Sequence, residues 1–305
     1  MLVRPETVAD YPAIADVHAR AFGDDVGVPA LVALLRQRAA FDPSLSLVAE
    51  IDGRVAGHVL FTPQRLRLLD ADAPAVMLSP LGVLPEFQRQ GVGSALVQEG
   101  HHAAASKGYA LAWLIGEPDY YPQFGYRQRA YGTWTLPVDA SETVSALQDS
   151  AVMFGDVVQL RDLWRLDQAH VDFAFDPGPA LSDWVSPNPH IESLVFRDAG
   201  QVVGFAMFDD RHQDRPRALL ARDGGVTMGI VANLARRARI HELYLPLHSS
   251  SAAARGLAAP VVRARAPQMA VSLARGALDE YFGLVAAGRR PLGQTGWTTA
   301  VDLAD

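Results

Sequence analysis

The segment LSPLGVLPEFQRQGVGS, residues 78–94, joins an apolar strand to a helix through a glycine-bearing loop. The strand is expected from Ala75 to Leu84, and the helix begins near Gly91 and stops at Gly108. The first turn of a helix leaves four N–H donors unpaired and carries about half a positive charge. An anion site is therefore predicted at this junction, on the residues Gln88, Arg89, Gln90, Gly91, Val92, Gly93 and Ser94.

Two glycines determine which ligand this loop could bind. Gly91 and Gly93 let the backbone approach a phosphate without a clash at Cβ, and the amides around them can form a concave nest of donors. A tight turn without any ligand is the simpler alternative. No third glycine completes a dinucleotide fingerprint, and no Gly-Lys-Ser/Thr completes a P-loop, so a pyrophosphate site of another kind is favoured.

The elements around the loop predict a mixed α/β unit. Residues 47–51 and 55–61 read as two strands joined by Asp52-Gly53, a strong hairpin signal. Before them come a strand at residues 2–4 and two helices, and after the loop helix come a buried strand at residues 110–115 and a short helical turn at 120–124. A final strand is expected from Tyr126 to Leu136.

The hairpin occurs twice. Leu47–Phe61 aligns without gaps on Leu194–Phe208, and the glycines at 53, 57, 200 and 204 coincide. Chance similarity between two hairpins is the alternative, but a helix at 227–239 leading into a strand at 243–247 repeats the order of the first half. We therefore expect a duplicated fold, with domains at residues 1–140 and 155–305.

The second copy lacks the loop chemistry of the first. Where the first half has Gln-x-x-Gly-x-Gly, the second has DGGVTMG at residues 223–229. The spacing differs, and the carboxylate of Asp223 would repel a phosphate. We expect the C-terminal domain to be structural or to wall a substrate pocket, since ligand sites favour domain interfaces.

Composition narrows the classes of partner. The formal charge is −7 and no basic stripe is present, so nucleic-acid binding is not expected. No apolar run reaches the ~20 residues of a membrane span, and the N-terminus lacks the features of an export signal, so a cytoplasmic location is expected. The absence of cysteine excludes disulfides and a cysteinyl intermediate. The histidines lack metal-ligand spacing, so no metal is expected.

Residues 78–94, together with GEPDYYPQFGY at 116–126, resemble the GNAT superfamily of N-acetyltransferases, in the form seen in its YhbS-type branch. The resemblance covers about residues 1–137. It implies an acyl-CoA N-acyltransferase fold, α/β with a mixed sheet, and acetyl-CoA as co-substrate. It further implies that the amides from Arg89 to Ser94 hold the pyrophosphate and that the pantetheine arm lies between two splayed strands, along Leu81, Gly82 and Val83. Pro80 suits an edge or bulge in that strand.

The resemblance also implies catalytic residues. Tyr121 stands where the family has a tyrosine that protonates the departing thiolate, although it could instead be a core aromatic. Glu117 lies at the end of the strand near the sulfur and could accept the proton of the amine, directly or through water. Glu50 and His58 could line the acceptor pocket or simply lie on a strand face.

Together these implications predict that the protein transfers an acetyl group directly to a primary amine. The acceptor would be a small molecule or a peptide, with a monomer or homodimer as the acting form. A non-catalytic acyl-CoA-binding or sensing module is the alternative, since a fold and a motif do not guarantee turnover.

Overall fold

The computed structural model of the chain describes residues 1–24, 26–274 and 276–295. The strands are β1 (Leu2–Pro5), β2 (Ser46–Ile51), β3 (Arg54–Leu68), β4 (Ala71–Val83), β5 (Leu111–Ile115), β6 (Arg127–Gln128), β7 (Thr133–Asp139), β8 (Gln148–Ala151), β9 (Ile191–Asp198), β10 (Gln201–Asp209), β11 (Ala218–Ala221), β12 (Glu242–Leu245), β13 (Val261–Arg263) and β14 (Gln268–Ser272). The helices are α1 (Tyr11–Ala21), α2 (Gly27–Arg36), α3 (Val92–Ser106), α4 (Val157–Asp167), α5 (Gly224–Ala238) and α6 (Ala277–Ala286).

A seven-stranded mixed sheet in the order β1-β2-β3-β4-β5-β14-β6 organises the N-terminal half. Side chains alternate across it, as the strand period requires. Leu47 and Ala49 of β2 pack in the cluster that includes Leu96 of α3. Val48 between them packs with Ile14 of α1 on the opposite face. The two faces are therefore covered by different helices.

The strands β4 and β5 part in the middle of this sheet. They run parallel, and their register ends at the pair Met77–Trp113. One residue further along β4, the register against β3 shifts so that Ser79 and Pro80 both lie opposite Leu60. This is a β-bulge, and bulges bend the strand that carries the extra residue. The expected bulge at Pro80 is therefore present, at the point where the two strands separate.

The two hairpins share their turn and their bulge. Asp52 and Gly53 have φ values of 50° and 76°, and the turn residues Ala199 and Gly200 have 48° and 82°. Positive φ at both central residues matches the twist of the flanking strands. In each hairpin one residue is skipped in the register just after the turn, Ala56 in β3 and Val203 in β10. Such agreement in detail supports duplication over chance.

Glycine follows each skipped residue for a packing reason. A Cβ on Gly57 would lie 3.0 Å from Leu96 of α3, and one on Gly204 would lie 2.5 Å from Ile230 of α5. In both halves the equivalent helix therefore packs against a backbone position that has no side chain. The second sheet has the strand order β11-β10-β9-β8 and is accompanied by α4 and α5. Together these elements repeat β1 to β4 with α1 and α3.

The two halves exchange strands. β7 leaves the first sheet and lies between β12 and β13, while β14 enters the first sheet between β5 and β6. The single strand expected at residues 126–136 is therefore wrong, because the chain passes there from one sheet to the other. Strand pairing also crosses the expected division at residues 140–155, and the two domain ranges remain a prediction.

Candidate functional site

The loop before α3 has an alternating backbone. Arg89 and Gly91 have φ values of 59° and 83°, while Gln90 between them is not in the left-handed region. Alternation of this kind turns successive amides toward one point and creates an anion nest. Gly91 is the N-cap of α3, so the nest lies on the helix axis. The left-handed conformation at Gly91 explains the need for glycine there.

Side chains hold the loop closed without using its amides. Gln88 donates from Nε2 to the carbonyl of Val83 at 3.1 Å, and Gln90 donates to the carbonyl of Glu86 at 2.8 Å. Within the part of the chain that the structure describes, no backbone N–H from residues 89 to 94 donates to a protein acceptor. Arg89, Gln90 and Gly91 are exposed. Six donors are thus free at an accessible helix start.

The equivalent helix of the second half is closed at its start. The Asp223 carboxylate accepts a hydrogen bond from the amide of Val226 at 2.9 Å. Gly224 is buried against the carbonyl of Arg255. Thr227 donates from its hydroxyl to the carbonyl of Ala253 at 2.7 Å. The donors at this helix start are covered by the chain itself, which agrees with an anion site in the first half alone.

The predicted strand residues lie where β4 has left β5. Leu81, Gly82 and Val83 pair on one side with β3. Their other edge faces the gap, because the register with β5 ends at Met77 and the two strands share no later pair among the described residues. An extended ligand can therefore pair with this edge as a strand would.

A buried polar network supports β4 from behind. Arg36 binds Glu6 at 2.9 and 2.7 Å, and Glu6 lies 3.2 Å from His58. His58 hydrogen-bonds His18 at 2.7 Å, and a Cβ added to Gly82 would lie 2.7 Å from Nδ1 of His18. The network braces β4, and only a glycine fits at position 82.

Burial and hydrogen bonds set the pKa values of the ionisable groups in this network. Burial alone would raise the pKa of Glu6, but hydrogen bonds from His58, Arg36 and Ser46 lower it to about 2. Desolvation lowers the pKa of His18 to about 2 and also lowers that of His58. At neutral pH the network is thus a carboxylate bound to a guanidinium, with two neutral imidazoles.

The structure separates two adjacent tyrosines. Tyr121 is 9% exposed, its ring lies under Gly116, and its hydroxyl makes no hydrogen bond within the described residues. Burial raises its pKa well above the ordinary value, with smaller contributions from Tyr120 and Glu117. Tyr120 is half-buried, and its hydroxyl would lie 2.7 Å from a Cβ on Gly93.

The hydroxyl of Tyr120 lies at the first turn of α3, which the sequence did not predict. A hydrogen bond with Ser94 partly offsets the rise in the pKa of Tyr120 that burial causes. The sequence indicates the different orientations of Tyr120 and Tyr121 only by placing them next to each other, since neighbouring side chains in a tight turn point in different directions. The pair therefore places one hydroxyl at the anion loop and the other ring in the core.

The candidate acidic residues differ in position. Glu117 is exposed after β5, and its carbonyl accepts hydrogen bonds from the amides of Tyr120 and Tyr121 at 3.1 and 3.4 Å. Glu50 binds Arg4 at 3.0 Å, and His58 is fully buried. The Glu50 side chain is 29% exposed beside Arg4, and a place for Glu50 or His58 in an acceptor pocket stays a prediction.

The fold and the site define an α/β protein with a helix start that bears free amides beside a split sheet. A family model described as an acetyltransferase (GNAT) domain matches residues 3–129. The uncharacterized N-acetyltransferase YhbS of Escherichia coli (strain K12) is 34% identical over 132 residues, which cover 43% of this chain and 76% of YhbS. The chain belongs to the GNAT family of acetyltransferases.

Two further comparisons agree. The uncharacterized N-acetyltransferase YjhQ of Escherichia coli (strain K12) is 34% identical over 119 residues, which cover 39% of this chain and 65% of YjhQ. The crystal structure of a GCN5-related N-acetyltransferase from Anabaena variabilis superposes with a TM-score of 0.71 at 15% identity and covers 90% of this chain and 73% of that one. The latter similarity supports the fold of both halves together.

No helix in the described part of the chain is long and apolar enough to cross a membrane. Nor do residues 1–24, 26–274 and 276–295 contain a group of three or more histidine, aspartate or glutamate side chains arranged to hold a metal ion.

Proposed function

We propose that this protein transfers the acetyl group of acetyl-CoA directly to a primary amine of a small-molecule or peptide acceptor. The observation that carries the proposal is the set of six free amides at the start of α3, beside the gap between β4 and β5. A helix start with free donors suits a pyrophosphate. The adjacent open strand edge suits the amides of a pantetheine arm.

The residues would divide the binding of acetyl-CoA between them. The amides of Arg89, Gln90, Gly91, Val92, Gly93 and Ser94 would hold the pyrophosphate, with Gln88 closing the loop through its bond to Val83. Leu81, Gly82 and Val83 would pair with the pantetheine. The hydroxyl of Tyr120, next to Gly93, adds a donor at the same helix start.

Tyr121 is the proposed general acid. Acetyl-CoA supplies a thioester, and its aminolysis requires a proton for the departing thiolate. Burial keeps the Tyr121 phenol protonated, and its hydroxyl has no partner among the described residues that would compete for the proton. Glu117 is close enough to Tyr121 for its charge to act on the phenol, and we propose it as the group that receives the proton of the amine.

For the C-terminal range, residues 155–305, we propose a structural role that also walls the acceptor pocket. The exchange of β7 and β14 supports it, because each half completes a sheet of the other. The pairing that two copies could provide is thus already present within one chain. We accordingly propose a monomer or homodimer as the acting form, which sedimentation equilibrium would test.

Calorimetric titration of the full chain tests the cofactor. Acetyl-CoA and CoA should bind, and NADH and NADPH should not. Gly91→Asp places a carboxylate in the anion site and should weaken acetyl-CoA binding by at least about a hundredfold. Gly53→Asp is a matched control, because Gly53 also has positive φ, 76°, and open space around it. Equal affinity of the Gly91→Asp and Gly53→Asp variants would refute the pyrophosphate assignment.

Turnover requires a second measurement. Release of the free thiol from acetyl-CoA should rise when amines from a panel of polyamines, amino acids, aminosugars and peptides are added. A stoichiometric gain of one acetyl group on the accepted amine, measured by mass spectrometry, would support transfer. Tight binding of acetyl-CoA with no transfer across the panel would instead favour the non-catalytic acyl-CoA-binding alternative.

A further inference from the structure

Three exposed arginines at the junction of the two halves have no ion pair. Arg129, Arg263 and Arg265 make no salt bridge within the described residues, whereas the nearby Arg127 lies 3.6 Å from Asp279. Acidic side chains outnumber basic ones in the chain, 34 to 27. Three arginines left unpaired in one place therefore form a local excess of positive charge in an acidic protein.

A buried glutamine, Gln268, fixes the positions of these arginines. Gln268 is 6% exposed, and its Oε1 accepts a hydrogen bond from the amide of Arg265 at 2.8 Å. Its carbonyl accepts from the amide of Ala130, which follows the arginine after β6, at 2.9 Å. Its Nε2 donates to Oγ1 of Thr133 at 3.3 Å, and Thr133 is paired with Arg263 across β7 and β13. Each arginine thus lies beside a hydrogen-bond partner of one buried side chain.

The cluster borders the end of β5, where the proposed proton acceptor lies. Gln268 is paired with Ile115, and the carbonyl of Pro267 accepts a hydrogen bond from the amide of Gly116 at 3.1 Å. Glu117 follows and is exposed. Neighbouring strands lie about 4.8 Å apart and rise about 3.3 Å per residue, so the backbones of Glu117 and Gln268 lie within about 10 Å of each other. One small molecule can therefore reach both.

The charges select between classes of acceptor. A guanidinium binds the oxygens of a carboxylate or a phosphate well, and three of them lie here without a carboxylate of the chain. On the other side, Glu117 offers a carboxylate. A molecule with an amine at one end and an anion at the other complements both charges, whereas a polyamine would bring like charges to the arginines.

We propose that the acceptor carries an anionic group, a carboxylate or a phosphate, that binds Arg129, Arg263 and Arg265 while its amine meets Glu117. The assignment rests on the proposed transferase function and names the acceptor class within it. Two of the arginines belong to the C-terminal half, which thus contributes charge to the acceptor pocket. A short peptide suits the spacing, since an extended chain covers about 3.3–3.6 Å per residue and a tripeptide separates its amine and carboxylate by about 10 Å.

Calorimetric titration of the native full-length chain with CoA present tests the anion without requiring turnover. Two matched pairs are compared: trialanine with trialaninamide, and 4-aminobutyl phosphate with 4-amino-1-butanol. In at least one pair the anionic member should bind about tenfold more tightly at low ionic strength, and the difference should shrink in 0.5 M salt. The pair that shows the preference identifies the anion. The absence of a preference in both pairs, including the absence of any binding, would overturn the proposal.

Variants then locate the anion. Arg263→Gln and Arg265→Gln should each weaken the anionic ligand about threefold, and the triple variant with Arg129→Gln should reduce its preference to less than about twofold. Arg239→Gln is the matched control, because Arg239 is also exposed without a salt bridge in the described chain, has a φ of 58° against 55° at Arg129, and precedes β12, which pairs with the opposite end of β7. Unchanged urea unfolding of the triple variant would show that its fold is intact. A full preference in that variant would overturn the proposal.

Acetyl transfer is measured separately on the same ligands. The anionic member of the preferred pair should be acetylated with a kcat/KM about tenfold above that of its neutral partner, and the triple variant should remove this difference. A binding preference without transfer to any ligand would refute the transferase proposal and support the anion site. Transfer with equal kcat/KM within both pairs would refute the anion site and support the transferase proposal.

Discussion

Replacing Tyr121 by Phe separates catalysis from packing at the proposed acid. The Tyr121 ring packs 5.6 Å from the Tyr126 ring and 5.1 Å from that of Tyr120, and a phenylalanine keeps both contacts. Since the hydroxyl makes no hydrogen bond within the described chain, its removal should change the free energy of unfolding by less than about 0.5 kcal/mol. Loss of a general acid should lower turnover by about 10²- to 10⁴-fold, which corresponds to roughly 3–5 kcal/mol of barrier.

Tyr120→Phe is the matched control, because it removes a hydroxyl from the adjacent residue. That hydroxyl lies beside Gly93 and hydrogen-bonds Ser94, so its loss should weaken acetyl-CoA binding by about two- to tenfold and lower turnover at saturating acetyl-CoA by less than about threefold. Thiol release gives turnover, and calorimetry gives affinity. Full turnover in the Tyr121→Phe variant would refute the reasoning, and a large loss in Tyr120→Phe alone would transfer the acid role to Tyr120.

Three further substitutions test the fold. Burial raises the pKa of Asp167 to about 7, so the native state binds this proton more tightly than the unfolded chain, and stability from this group falls as pH rises from about 4 to 7. Asp167→Asn should flatten that fall in urea unfolding between pH 4 and 8, and an unchanged slope would contradict the shift. Asp223→Ala removes the N-cap of α5 and should lower the free energy of unfolding in urea by about 0.5–2 kcal/mol, with the affinity for acetyl-CoA unaltered. An unchanged free energy of unfolding would show that the cap is dispensable. Gly100→Ala should destabilise the protein by about 1–3 kcal/mol in the same assay, because the new methyl group meets the ring of Phe61. This loss should outweigh the better helix propensity of alanine, which is worth about 1 kcal/mol. A gain in stability would show that the ring can move.

Local chemistry made the hairpins and the loop predictable. Asp52-Gly53 prefers positive φ, so the first hairpin and its turn follow from two residues. Gly91, with a φ of 83°, marks the helix start in the same way. The alignment of residues 47–61 with 194–208 predicted the repeat, and the shared bulge after each turn supports it.

Long-range pairing was not predictable. β14 was absent from the expectation, and the strand expected at 126–136 is split between two sheets. An apolar run of a few residues shows that a strand will be buried, but it does not show which distant strand will be its neighbour. The exchange of β7 and β14 depends on that choice of neighbour.

The sequence by itself determined the glycine-bearing loop before α3, the doubled hairpin and the different helix start of the second copy, because each depends on glycine conformation, turn chemistry or a charge within a few residues. Only the tertiary structure decided which tyrosine hydroxyl lies at the loop, which histidine supports Gly82 and which strands the two halves exchange. Those arrangements depend on burial and contact between segments far apart in the chain. Spacing along the sequence carries no information about such distances until the chain has folded.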